Sequence, residues 1–307
     1  MKQSWFIRGL DRPLGVLVGA LLGLLGRIDP DRASAFCGAV ARRVGPWLPQ
    51  HRIGRDNLRA AFPDKDAGWI EATLRDAWEN LGRMTGEYVH LGRIWDLDIQ
   101  AATAGRISTD AATLALFEQL RNDDKPALVF AAHFGNWELP AMAGPAHGLG
   151  SAVVYRMPNN RAVAERIEAI RKPLMGRLIR TRPEAVFEMA GVLNQGLHLG
   201  MLVDQHFTRG VPIQFFGRLC WANPTIARLA RQFDCPVIGT HAVRLPGNRF
   251  HVTATGPLDL PRDAEGKIDV EPATQMINSI IEGWVREHPG QWLWFHRRWR
   301  QSSRRRR

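Results

Sequence analysis

The stretch "ALVFAAHFGNWELP", residues 127–140, decides how the chain is read. After the turn-forming "KP", residues 127–132 make a short, continuous apolar run, the pattern of a buried strand. His133, Asn136 and Glu138 then gather at its end, and in open α/β sheets ligands collect beyond the strand C-termini. Two readings stand. In one, His133 is a base oriented by Glu138; in the other, it is a satisfied core histidine beside a solvated glutamate. Five residues along one helix turn through about 140° net, so the pair cannot share a helix face. The first reading therefore puts His133 in a strand-to-helix turn and Glu138 in the first helical turn, where the helix dipole favours a carboxylate. The carboxylate would hold one ring nitrogen and leave the other as a base near neutral pH. No serine or cysteine adjoins the motif, so such a base would activate a substrate hydroxyl in acyl transfer or hydrolysis without a covalent intermediate.

Outward from this stretch, strands and helices alternate. Residues 33–95 read as helices, with near-helical apolar spacing in "DKDAGWIEATLRDAWENLGRMTGEYVHL" after the stop and cap at Pro63 and Asp64. Residues 110–121 form another helix. "SAVVYR" (151–156) is a second strand, and the helical pattern after it ends at Pro173. "LHLGMLVDQHF" (197–207) is a third strand ending in polar residues. "NPTIARLARQF" (223–233) is a helix capped by Asn223 with Pro224 just inside. Two adjacent strands flank the turn "PGN", and a closing helix ends at Pro289. No internal repeat is visible. The expected fold is α/β, a mixed or mostly parallel sheet flanked by helices. His133, Arg156 and Asp204 all fall at strand ends, although sequence leaves the strand order open.

The chain has 307 residues, 45% of them hydrophobic and 23% charged, which fits a globular core rather than disorder. A formal net charge of +11 points to an anionic partner, nucleic acid or acidic lipid. Eleven tryptophans against two tyrosines, many beside arginine or proline as in "WLWFHRRW", suit a membrane interface. The same segment in isolation suits base stacking, but no domain-scale nucleic-acid motif is present and no nucleic-acid partner is expected. Cys37, Cys220 and Cys235 lack C-x-x-C spacing, "HFGNWE" lacks H-E-x-x-H spacing, and "GALLGLLG" lacks the lysine and preceding strand of a P-loop. Neither a metal nor a cofactor is expected. Residues 14–26 are uncharged but fall short of the roughly 20 needed to span a bilayer. With Lys2, Arg8 and Arg12 before them, they are expected to be part of an uncleaved membrane anchor over residues 1–30, spanning or lying shallow. The alternative is a buried helix of a soluble domain. The main domain is expected over 31–300, with a basic tail at 301–307.

"HFGNWE" looks like the H-x4-D/E motif of the lysophospholipid acyltransferase superfamily. Further blocks follow in order: "RIGRDNLRAAFPD" (52–64), "YR" (155–156), "VDQHF" and "GVPIQFFGR" (203–218), "ARLARQFDCPVI" (227–238) and "PGQWLWFHRRW" (289–299). Together they resemble the bacterial lipid A biosynthesis acyltransferases, the lauroyl/myristoyl transferases of lipopolysaccharide biosynthesis, over nearly the whole chain. The resemblance implies a glycerolipid-acyltransferase-like fold, with His133 as general base and Glu138 as its partner. A hydroxyl of a phosphorylated glycolipid, a lipid A precursor, would attack the thioester of acyl carrier protein bearing a fatty acyl chain. That pairing places the protein at the cytoplasmic face of the inner membrane. Arg156 resembles a phosphate-contacting arginine, and Asp204 and Gln205 resemble the family's "DQ". Asn136 would orient the thioester or donate to its oxyanion, or else cap a helix; Phe215 and Phe216 would line a lipid wall or belong to the core. Asn194, Gln195 and His198 depart from the more basic or glycine-rich segment common in relatives, which leaves acceptor specificity open. The alternatives are acylation of another membrane glycolipid, a membrane-associated esterase, or a non-enzymatic binder of anionic membrane or nucleic acid.

Overall fold

The computed structural model describes residues 15, 16, 18–98, 105–158 and 160–299. After the helical residues 18–25 come three helices: α1 (Pro30–Val44), α2 (Pro49–Ala61) and α3 (Ala67–Glu87). Asp29 and Asp66 cap α1 and α3 by accepting backbone N–H groups of the first turn. Helices α1 and α3 pack closely because α3 carries glycine at the contact. A β-carbon on Gly82 would lie 2.4 Å from the Cys37 carbonyl oxygen, and one on Gly86 2.5 Å from that of Ala33.

The alternating part then runs α4 (Leu91–Ile94), β1 (Ile107–Ser108), α5 (Ala111–Asn122), β2 (Leu128–Ala131), α6 (Leu139–Ala146), β3 (Ser151–Tyr155) and α7 (Arg161–Arg171). It continues with β4 (Arg177–Arg180), α8 (Ala185–Asn194), β5 (His198–Leu202), β6 (Val211–Phe215), β7 (Arg218–Ala222) and α9 (Thr225–Phe233). Strands β8 (Val237–Leu245) and β9 (Arg249–Thr255) and helix α10 (Val270–Glu287) close it. Seven strands form one sheet in the order β1-β9-β8-β2-β5-β3-β4, while β6 and β7 form a separate ribbon. Every neighbour in the large sheet is parallel except β8 and β9, the pair joined through "PGN". This is the α/β architecture with a mixed sheet and flanking helices that the sequence predicts.

Strand β2 lies between β8 and β5 and is apolar throughout, as a strand covered on both faces must be. On one face Phe130 stacks on Trp284 of α10 at 5.7 Å between ring centroids, within the main core. The opposite face carries Val129 and Ala131, which line a large cavity. Helix α9 starts one residue later than expected, with Pro224 at the N-cap position rather than inside; Asn223 Oδ1 still accepts the Thr225 N–H and hydroxyl. Phe215 and Phe216 lie in the core. The ribbon β6–β7, strand β4 and helix α8 were not predicted.

The expected N-terminal hydrophobic anchor is corrected. No helix among the described residues is long and apolar enough to cross a membrane. Residues 1–14 and 17 lie outside the described residues; 18–25 are helical, Val18 and Leu22 line the cavity, and Leu25 is buried with its carbonyl on the His90 ring. The described part of this apolar run thus spends some of its side chains on the protein's own interior. The placement at the cytoplasmic face of the inner membrane, and the membrane association drawn from that anchor, lose their ground with it.

Candidate active site

The site is built where two parallel neighbours end together. Strands β2 and β5 run in register, with Ala131 opposite Leu202, so the next outward-facing pair is His133 and Asp204. The carboxylate grips the histidine twice: Oδ2 accepts the His133 backbone N–H at 2.9 Å, and Oδ1 lies 2.8 Å from ring Nδ1. Asp204 is only 2% exposed. Burial alone would raise its pKa, but the charge and hydrogen bonds of His133 and the Trp292 indole N–H, 2.8 Å away, hold it down to about 2. A carboxylate so held only accepts, so Nδ1 is the donor to it, and Nε2, when free of a proton, offers a lone pair. The amide nitrogen of Gln205 lies 3.3 Å from that Nε2 and donates to it. Trp137 packs edge-on to the ring at 5.1 Å, and both His133 and Gln205 line the cavity.

The contact expected between His133 and Glu138 is not formed. Glu138 sits at the N-terminus of α6, as predicted, but its two oxygens are both taken by Arg171 of α7, at 2.8 and 2.5 Å. Glu138 is 3% exposed, and the guanidinium lies over the rings of Tyr88 and Tyr155. Burial works against the Arg171 charge, but Glu138 outweighs it and raises the pKa. The pair forms a polar patch on the cavity wall beside His133.

Asn136 does not face the reaction. Its side-chain nitrogen donates to Glu87 at 2.8 Å, and its Oδ1 accepts the Glu138 N–H at 3.2 Å, close to the helix-capping role foreseen as the alternative. Glu87, wholly buried, also binds Ser34 and receives two N–H groups of Arg244, whose Nε donates to Asn80. This polar cluster lies beneath the His133 turn and holds it: Asn80 also donates to the Gly135 carbonyl at 2.9 Å. Gly135 has φ +56°, and a β-carbon there would fall 1.8 Å from the Ala242 carbonyl oxygen, so only glycine fits.

The segment 291–293 closes the turn from the other side. The Gly135 N–H donates to the Gln291 carbonyl at 2.9 Å, and the Leu293 N–H donates to that of His133 at 3.0 Å. Beyond it Arg298 is 1% exposed, donates to Asn278 at 2.7 Å and lies over Phe215; burial pushes its pKa down. A second histidine–carboxylate pair, His51 with Glu71 at 2.9 Å, stands elsewhere. The other ring nitrogen of His51 accepts from Trp78, and neither residue lines the cavity, so this pair is structural.

The cavity measures about 1070 Å³ and is mainly apolar. It runs from His133 along the sheet face between strands and helices α5 and α6. Arg156 stands exposed on its rim, with no ion-pair partner among the described residues. An apolar slot of this size beside an oriented histidine has room for an apolar group next to a base. A family model described as "Bacterial lipid A biosynthesis acyltransferase" matches residues 2–301.

The chain belongs to the bacterial lipid A biosynthesis acyltransferase family.

As a member of that family it is an enzyme, an acyltransferase acting in lipid A-type biosynthesis. Comparison with curated proteins gave no match. Of the candidate residues, His133, Asp204 and Gln205 come together in this acyltransferase, Glu138 and Arg156 share their cavity, and Asn136 lies behind it. Sequence reading missed Arg171, Glu87 and Arg244. Arg171 lies on a helix that was foreseen, but nothing in its spacing pointed to Glu138.

Proposed function

We propose that this acyltransferase moves a fatty acyl chain from acyl carrier protein to a hydroxyl of a phosphorylated glycolipid, with residues 31–300 as the acyltransferase domain. In this reading His133 Nε2 takes the proton of the acceptor hydroxyl as its oxygen attacks the thioester carbon. Collapse of the tetrahedral intermediate breaks the carbon–sulfur bond, and the imidazolium returns the proton to the leaving thiolate. Asp204 fixes the tautomer and supports the transient cation; Gln205 steadies the ring until the hydroxyl displaces it. The acyl chain occupies the apolar cavity. Glu138 serves as the partner that keeps Arg171 in the wall rather than as a contact of the base. Arg156, exposed on the rim, binds a phosphate of the acceptor through paired charged hydrogen bonds.

The observation that carries this reading is the His133 ring, held by Asp204 on one nitrogen and presenting the other, beside Gln205, at a mainly apolar cavity. The test is transfer from acyl carrier protein thioesters to phosphorylated and dephosphorylated glycolipid acceptors, with His133→Ala as control. Thioester hydrolysis without an acylated product would point to an esterase instead. Arg156→Ala is expected to weaken the phosphorylated acceptor more than the dephosphorylated one, with Arg156→Lys restoring only part. Equal losses on both acceptors would remove Arg156 from phosphate recognition.

A further inference from the structure

The cavity is mainly apolar, yet two polar side chains stand on its wall at the strand starts, away from His133. Ser151 begins β3 and His198 begins β5, and the two are register partners on neighbouring parallel strands. Both line the cavity. The Ser151 Oγ and the His198 Nδ1 are buried, and neither has a hydrogen-bond partner. His198 is 6% exposed, so bulk water does not serve its ring. Burial also lowers its pKa, which favours the neutral ring with one N–H and one lone pair. His198 lies six positions before Asp204 on an extended path, which sets the pair roughly 20 Å from the reacting end. Between the two ends the floor passes over Gly200, where the missing side chain leaves room for a chain to lie close to the backbone.

Two unmatched polar atoms at the bottom of an apolar slot treat water and hydrocarbon differently. A water bridging them satisfies both; a methyl group pressed against them satisfies neither and displaces that water. We propose that Ser151 and His198 form a polar stop that sets how deep a saturated acyl chain enters, the chain ending short of the pair. This rests on the reading that the cavity holds the acyl chain. The stop works through polarity and not bulk, which separates it from a simple steric floor. Leucine has nearly the volume of histidine, so His198→Leu removes the polarity while leaving the space much as it was.

The experiment measures binding of saturated fatty acids of increasing length by calorimetry, alongside the chain-length profile of transfer. In wild type, affinity is expected to rise about fourfold per methylene and then stop rising at a definite length. In Ser151→Ala/His198→Leu the rise is expected to continue for two or more further methylenes. His198→Asn, which keeps a polar group, is expected to retain the wild-type break. Gly200→Ala, midway along the floor, is expected to weaken long chains in every background. An unchanged break in the folded double variant, with Gly200→Ala still felt, would overturn the stop alone. A length profile indifferent to Gly200→Ala as well would overturn both the stop and the use of this cavity for the acyl chain.

Discussion

Replacing His133 by alanine removes the ring nitrogen that faces the cavity and leaves Asp204 a buried carboxylate with two donors, the His133 backbone and Trp292, still in place. The protein is therefore expected to fold and to lose roughly 10²–10⁴-fold in turnover, the usual worth of a general base. Asp204→Asn tests orientation rather than proton acceptance. An amide nitrogen facing Nδ1 would force the proton onto Nε2, and a similar fall in kcat with little change in KM is expected. Because the folded-state pKa of Asp204 is depressed to about 2, the stability it contributes is present above the unfolded carboxyl's pKa and is lost as pH falls toward 2. Between pH 5 and 8 it stays charged, and activity changes in that window belong to other groups. Glu138→Gln would strand the Arg171 cation between two tyrosine rings. Breaking such a pair is expected to cost on the order of 3 kcal/mol in denaturant unfolding, with turnover per folded molecule falling less than in His133→Ala. Full stability with turnover abolished would show Glu138 acting on the chemistry itself.

At the scale of elements, the decisive piece is the turn between β2 and α6. Its glycine has no substitute: Gly135→Ala meets the Ala242 carbonyl of β8 and a positive φ together. That variant is expected to shift the His133 turn and lose most activity even where circular dichroism still shows a folded chain; wild-type turnover would mean that the turn yields. Much of this element was legible in sequence, because a short apolar run followed by polar residues has one economical reading, and the helix after it starts where Glu138 predicts. The pairing of His133 with Asp204 was not legible. It depends on β5 lying next to β2, and strand order is fixed by long-range packing that leaves no local periodicity. Glu138 was the nearer carboxylate along the chain, but Asp204 is nearer in space. The cluster of Ser34, Asn80, Glu87, Asn136 and Arg244 was hidden for the same reason, being assembled from three separate elements and the turn itself. The ribbon β6–β7 was quoted as a motif but not seen as strands, since its bulky apolar residues fit a core equally well.

At the scale of the whole molecule, burial lowers the pKa of His90, His147, His198, His241 and His296 among the described residues. In His241, which stacks on Trp284 at 4.4 Å, it falls to about 4, through burial first and then the neighbouring His288 and His251. The sign follows from proton counting: between pH 6.5 and 4 the unfolded chain binds a proton at this residue that the folded chain refuses, so stability falls as the pH falls. Replacing His241 by phenylalanine keeps the stack and is expected to recover about 2–3 kcal/mol of the acid loss, read as a smaller drop in Tm between pH 6.5 and 4. An unchanged slope would assign the acid sensitivity to the other buried rings. The closure of the site by residues 291–293 also has a meaning in time. Synthesis delivers His133 first, Asp204 71 residues later and Trp292 a further 88 residues on, so a nascent chain carries the reactive groups before they are assembled. Its histidine turn lacks the two strand-like hydrogen bonds, one to the Gln291 carbonyl and one from the Leu293 N–H, and its aspartate lacks the indole, until that segment has been made. A chain truncated before Gln291 is therefore expected to keep both reactive residues and lack the contacts that brace them, a loss that its transfer activity would report.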